Sequence, residues 1–207
     1  MPENLHKLFV ISSPSGGGKT SLINKLFEDS RSANFEKSIS DTSRQKRQGD
    51  LEGKDYYFLS EKDFKDKINK EEYVEYATVF GNFYGTSKEE IKTKYNNSNL
   101  ILELDWQGAY AVKELFDDAK LIFLVPPSLD DLKQRLIKRN LDSSKEIESR
   151  LSEAKKEISK SEMYDYLVLN DDFDKAFEDL SQILFEGISP IDFNSRASKD
   201  LIKRLVE

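Results

Sequence analysis

The 207-residue sequence has no cysteine and a single histidine, His6. Without cysteine there is no disulfide framework, no thiol nucleophile and no thiolate zinc site. A lone histidine excludes multi-histidine metal sites and weighs against a Ser-His-Asp triad. No apolar run approaches the ~18 residues needed to cross a bilayer, and the opening MPENLHKLFV lacks the basic start and long apolar stretch of a signal peptide. Basic residues are outnumbered, 32 against 39 acidic, for a formal net charge of -7. That balance disfavours broad nucleic-acid binding but leaves room for a local basic pocket. What is present, 37% hydrophobic and 34% charged residues, fits a soluble globular chain with a sizeable core. Composition therefore predicts a cytoplasmic enzyme that works without His or Cys chemistry and binds neither nucleic acid nor membrane.

Lys7 to Ser12 (KLFVIS) is a short apolar run suited to a buried parallel strand. SPSGGGK follows, after which Leu22, Ile23, Leu26 and Phe27 fall on one helical stripe. Asn99 to Asp105 (NLILELD) reads as a second strand and Lys120 to Val125 (KLIFLV) as a third, stopped by Pro126 and Pro127. Ser128 with Asp131 makes a capping box ahead of Leu129, Leu132 and Leu136; Ser143 with Glu146 makes another ahead of Ile147, Leu151, Ala154 and Ile158. Tyr166 to Leu169 is a candidate last strand, followed by an amphipathic helix carrying Phe173, Ala176, Phe177, Leu180 and Leu184. Strands alternating with helices predict an α/β fold with a parallel sheet covered on both faces. The polar stretch from Phe35 to Lys94 breaks this rhythm with short aromatic segments and reads as an inserted β-rich subdomain, in which Tyr73, Tyr76, Phe80, Phe83 and Tyr84 supply a small core and a ligand contact. Beyond Gly187 the chain reads as a weakly attached tail with a short helix over Leu201, Ile202 and Leu205.

Ser13 to Thr20 (SPSGGGKT) matches GxxxxGK[ST] except at its first position, where Ser13 replaces glycine. A turn containing Gly16, Gly17 and Gly18 lets successive backbone N–H groups converge on phosphate oxygens, since no Cβ obstructs approach or positive φ. The following helix points its positive end at the same oxygens. Lys19 brings charge to the β and γ phosphates and the Thr20 hydroxyl suits Mg²⁺. A merely flexible glycine turn is the rival reading, but the segment sits between an expected strand and an expected helix, as a P-loop requires. Asp105, ending the second strand, is then the expected Walker-B-type acid. Glu103, two residues earlier, shares its side of the sheet, so Glu103 or Asp105 is a candidate to reach the metal through water; an ordinary solvated strand end is the alternative.

Five further segments, SISDTSRQKR, GKDYYFLS, EYVEYATVFGNFYGTS, ILELDWQGA and IFLVPPSLDDLKQRLIKR, closely resemble the guanylate kinase family in its bacterial form, with motifs in family order from about Lys7 to Leu184. Family members catalyse ATP + GMP ⇌ ADP + GDP with a P-loop core, a GMP-binding insertion and a mobile lid. The resemblance implies one domain over residues 1–207, with core over 5–36, 95–128 and 164–185, a β-rich GMP-binding insertion over 37–94, a helical lid over 129–163 and a tail over 186–207. It implies ATP and Mg²⁺ as cofactors, GMP and ATP as small-molecule partners, and a place in purine nucleotide metabolism.

Site residues follow position by position. Ser13, Pro14, Ser15, Gly16, Gly17, Gly18, Lys19 and Thr20 would hold ATP, with Asn170, in LVLND, near the adenine. Arg44 and Arg47, in TSRQKR, would grip the GMP phosphate with bidentate guanidinium contacts, helped by the hydroxyls of Ser40, Tyr56 and Tyr84. Glu75, in YVEYA, occupies the position that reads guanine: a carboxylate accepts from N1–H and the 2-amino group, whereas adenine would leave it unpaired, a discrimination of roughly 10⁴ or more. Thr86 and Asp105 resemble the other base contacts. RLIKR and IESRL match the lid patterns, which assigns Arg135, Arg139 and Arg150, with Lys19 and Arg44, to catalysis on the transferring phosphate; Asn140 stands where the family has glycine. Because the acceptor is already an ionised phosphate, catalysis must come from alignment and charge neutralisation. A non-catalytic interaction module of the same shape and a kinase for dGMP or AMP are the rival readings, and homo-oligomerisation is left open.

Overall fold

The computed structural model describes residues 6–79, 81–138, 144–189, 191 and 195–207. Phe80, Arg139, Asn140 and Ser143 lie outside the described residues. In chain order the strands are β1 (Leu8–Ser12), β2 (Phe35–Lys37), β3 (Asp41–Thr42), β4 (Tyr57–Phe58), β5 (Tyr73–Val79), β6 (Asn82–Ser87), β7 (Asn99–Glu103), β8 (Lys120–Val125) and β9 (Tyr166–Leu169). They form a five-stranded sheet in the order β2-β7-β1-β8-β9 and a four-stranded sheet in the order β4-β3-β6-β5. All five residues of β1 are buried, as an apolar run covered on both faces should be. The chain divides into two compact units, residues 1–10 with 34–119 and residues 11–33 with 120–207.

In the first unit β2 runs parallel to β7 with Phe35 opposite Asn99, so Phe35–Lys37 belongs to the larger sheet, although the break in rhythm begins at Phe35 and the family boundaries start the insertion at residue 37. The smaller sheet is mainly antiparallel: β6 pairs with β3 and with β5. Two helices interrupt this β-rich stretch, α2 (Glu61–Asn69) and α3 (Lys88–Tyr95). Their N-caps are Ser60 and Ser87, whose hydroxyls accept from the amides of Asp63 and Glu90, each satisfying a donor that has no partner within its helix. Phe64 is fully buried and stacks on Tyr73 and Phe83 at 4.6 and 5.4 Å. Tyr76, expected in that core, is 52% exposed. The helix α4 (Trp106–Leu115) follows β7.

The second unit holds β8 and β9, paired parallel from Ile122–Tyr166 to Val125–Leu169. Its helices are α1 (Lys19–Glu28), α5 (Leu129–Lys138), α6 (Ser144–Ser159), α7 (Phe173–Ser181) and α8 (Arg196–Val206). The Ser128 hydroxyl caps α5 by accepting from the Asp131 amide at 3.0 Å, as the capping box predicts. Phe27 and Phe173, at the ends of their helical stripes, are exposed, while Leu22, Ile23, Leu26, Ala176, Leu180 and Leu184 are buried and Phe177 is half-buried. The tail is better anchored than its sequence suggests: α8 packs on α6, Leu205 is buried, and Lys155 Nζ donates to the Glu207 backbone oxygen at 2.9 Å. Among the described residues no helix is long and apolar enough to cross a membrane.

Candidate active site

In the second unit β1 ends at Ser12 and α1 begins at Lys19, and the loop between them closes on itself where the Gly17 N–H donates to the Pro14 carbonyl at 2.8 Å. Gly16 and Gly18 sit at φ +87° and +89°, a region that L side chains avoid. A Cβ on Gly17 would lie 2.8 Å from Ser13 Cβ and 2.9 Å from Pro14 O, so that glycine is needed for space. Gly18 is the N-cap of α1 and makes no side-chain cap. A helix start whose amides are not met by a capping side chain suits a phosphate group. Lys19 and Thr20 occupy the first two helical positions. Ser13 is buried and its hydroxyl donates to Pro14 O at 3.1 Å.

Two of the other expected ATP-side residues, Arg150 and Asn170, meet this loop, and Arg135 joins it through Asn170. Arg150, on α6, donates from Nη1 to Ser15 Oγ at 2.8 Å. Arg135, on α5, donates from Nη2 to the Asn170 carbonyl at 2.7 Å. The Asn170 side chain donates from Nδ2 to the Gly17 carbonyl at 2.7 Å. Leu132 and Leu136 of α5 lie so close to Gly16 that a Cβ there would be 3.2 and 3.1 Å from them.

The first unit holds the residues expected on the acceptor side. Arg44 Nη2 pairs with Asp50 Oδ2 at 2.9 Å, and its guanidinium lies 5.4 Å from the Tyr56 ring centroid and 5.5 Å from that of Phe58. Tyr56 packs edge-on to Tyr84 at 5.7 Å. Burial pushes the Tyr56 phenol up to about 12, so it stays protonated and can donate at neutral pH. The Arg47 side chain is exposed, while its backbone N–H donates to Asp50 Oδ2 at 2.8 Å. Asp50 thus ties both arginine positions together, and the Arg47 amide, followed by the Arg44 guanidinium, holds its carboxyl below the usual carboxylate range. Nothing in the sequence separates Asp50 from the many other acids of its stretch.

Glu75 and Thr86 face each other across β5 and β6, just past an irregularity between Tyr73 and Glu75. Tyr73 and Glu75, two apart on β5, are both buried, Glu75 at 8% exposure. Burial pushes the Glu75 carboxyl up from 4.5 to about 7; hydrogen bonds with Thr86 oppose this and the nearby Asp105 charge adds to it. The Ser40 and Thr86 hydroxyls lie 3.3 Å apart.

β7 ends at Glu103, two residues short of the expected metal acid. Asp105 is the N-cap of α4, its Oδ1 accepting from the Gly108 amide at 2.9 Å. Glu103 Oε2 pairs with Lys37 Nζ at 2.7 Å, so the partner that a carboxylate on a buried strand requires is a lysine on β2. Gly108 was not singled out by sequence, yet a Cβ on it would lie 3.1 Å from Glu75 Oε2 and 3.1 Å from Leu104 Cβ. Its signal was the glycine two residues into a helix in ILELDWQGA, where the usual helical preference disfavours it. Among the described residues no cluster of three or more His, Asp or Glu could hold a metal ion by itself.

One unit therefore presents backbone donors and cations suited to a polyphosphate, and the other an arginine, phenols and a buried carboxylate suited to a phosphate bearing an N–H-rich base. Comparison with known proteins gives the same direction. The guanylate kinase family model matches residues 5–187. The chain is 46% identical over 184 residues to a guanylate kinase of Wolbachia sp. subsp. Brugia malayi, covering 88% of this chain and 93% of that one. It is 47% identical over 178 residues to a guanylate kinase of Hahella chejuensis, covering 86% and 85%. It is also similar to the crystal structure of guanylate kinase from Anaplasma phagocytophilum, with a TM-score of 0.73, 32% identity and coverage of 99% and 98%. The phosphate loop, the buried carboxylate and a match along most of the sequence agree: the chain belongs to the guanylate kinase family.

Proposed function

We propose that this protein transfers the γ-phosphoryl group of ATP to GMP, and to dGMP, in purine nucleotide metabolism. The observation that carries the reading is Glu75, a carboxylate at 8% exposure beside Thr86, at a position where an ionised carboxyl accepts two hydrogen bonds from guanine and none from adenine. Arg44, Arg47, Ser40, Tyr56 and Tyr84 grip the acceptor phosphate, with Asp50 pre-orienting Arg44 in the absence of substrate. Glu75, Thr86 and Asp105 meet the base. Segments 37–94 and 129–163 act as the GMP-binding insertion and the lid on the core.

The donor triphosphate lies on the loop from Ser13 to Thr20, with Lys19 against its outer phosphates. Two anionic substrates repel, and Lys19, Arg135, Arg139 and Arg150 offset that repulsion, most strongly in a water-poor site. No general base is needed, since the attacking oxygen is already ionised. The donor set fits magnesium in the way phosphate-bound magnesium is usually held, with few protein ligands and several phosphate and water oxygens. Thr20 is the hydroxyl that would hold it, and when bound it neutralises phosphate charge. Glu103 or Asp105 would reach it only through water.

A coupled ADP-release assay with GMP, dGMP, AMP and UMP tests the reading. Turnover with GMP and dGMP and not with AMP or UMP is expected. No ADP release with any acceptor, or equal rates with AMP and GMP, overturns it.

A further inference from the structure

We infer that Asn170 is a positioning residue that aims the phosphate loop, rather than a residue that reads the adenine of the donor; this rests on the donor reading above. The residue follows β9 and is 4% exposed. Three bonds fix it: its N–H donates to the Val125 carbonyl at 2.9 Å, its own carbonyl accepts from Arg135 at 2.7 Å, and its side-chain Nδ2 donates to the Gly17 carbonyl at 2.7 Å. The side-chain nitrogen lies where a Cβ of Gly18 would come within 2.4 Å of it.

The Gly17 carbonyl and the Gly18 N–H belong to one planar trans peptide unit, so they point in opposite directions. Holding the carbonyl toward Asn170 turns the Gly18 N–H the other way, as a donor at the head of α1. Rotating that peptide by half a turn changes only ψ of Gly17 and φ of Gly18, and two residues without a Cβ present little steric barrier to it. The flipped state would offer an oxygen to a phosphate. The glycines that allow the loop to approach an anion thus also allow it to turn the wrong face, and the Asn170 amide selects the productive one. Arg135 holds the backbone of the same residue, which links α5 to the loop through Asn170.

The test compares N170D, which has nearly the same shape but no donor when ionised, and N170S, which keeps a shorter donor, with the parent protein. Measured are kcat/KM for ATP and for GTP as donors, KM for GMP, and binding of inorganic tripolyphosphate by calorimetry, with thermal melts to confirm folding. Loss of a bond to a buried carbonyl predicts roughly a tenfold or greater loss of kcat/KM in N170D. The loss should be equal for ATP and GTP, should be matched in tripolyphosphate binding, and should be smaller in N170S, with KM for GMP within about twofold of the parent. A loss confined to ATP, with tripolyphosphate binding intact, overturns the inference in favour of base recognition; unchanged donor kinetics in a folded N170D also overturns it. A parent protein that binds tripolyphosphate but phosphorylates no GMP would sink the functional reading alone.

Discussion

Glu75 makes a quantitative prediction about pH. Burial lifts its carboxyl from 4.5 to about 7, which corresponds to roughly 3 kcal/mol against the charged form. Guanine needs that charged form, because only an unprotonated carboxyl offers acceptors to both N1–H and the 2-amino group. In the free protein about one molecule in ten is ionised at pH 6 and about nine in ten at pH 8. Apparent GMP affinity scales with the competent fraction, so it should strengthen by about tenfold over that interval. Binding at pH 6 should release close to one proton from this group. Isothermal titration in buffers of different ionisation enthalpy counts that proton. The GMP phosphate titrates near pH 6 as well, and Glu75→Gln retains that contribution while removing the carboxyl, so the difference between the two proteins isolates Glu75. Identical proton release in both refutes the assignment. Stability should move the opposite way: the native state holds this proton more tightly than the unfolded chain, so its contribution falls as pH rises from 4.5 through about 7. The Gln variant should lack that part of the slope in urea titrations at several pH values.

Lys19→Ala should lose turnover by roughly 10²-fold or more while its GMP affinity, measured by titration without ATP, stays within about twofold. Gly108→Ala places a Cβ 3.1 Å from Glu75 Oε2, so KM for GMP should rise several-fold with KM for ATP unchanged; steady-state kinetics that show equal effects on both would refute the spacing role. Leu205→Ala, on the buried face of α8, should lower stability by about 2 kcal/mol or more in denaturant unfolding, whereas a frayed tail would give no change.

The sequence alone determined the parts of this protein that depend on local chemistry and period. Runs such as KLFVIS and KLIFLV read as buried strands because they are short, rich in β-branched and aromatic residues, and followed closely by glycine or proline. The glycine-rich turn before Lys19 declared its ligand for a related reason, since three residues without Cβ ahead of a lysine on a helix start are costly in anything but an anion site. Tertiary structure decided what depends on contacts between distant positions. That Phe35–Lys37 joins the larger sheet, that Glu103 meets Lys37, and that the tail helix packs on α6 are set by burial and pairing partners far along the chain. The bond from Asn170 to Gly17 spans 153 residues, a separation at which side-chain chemistry leaves no trace in local pattern and only the folded chain can supply the partner.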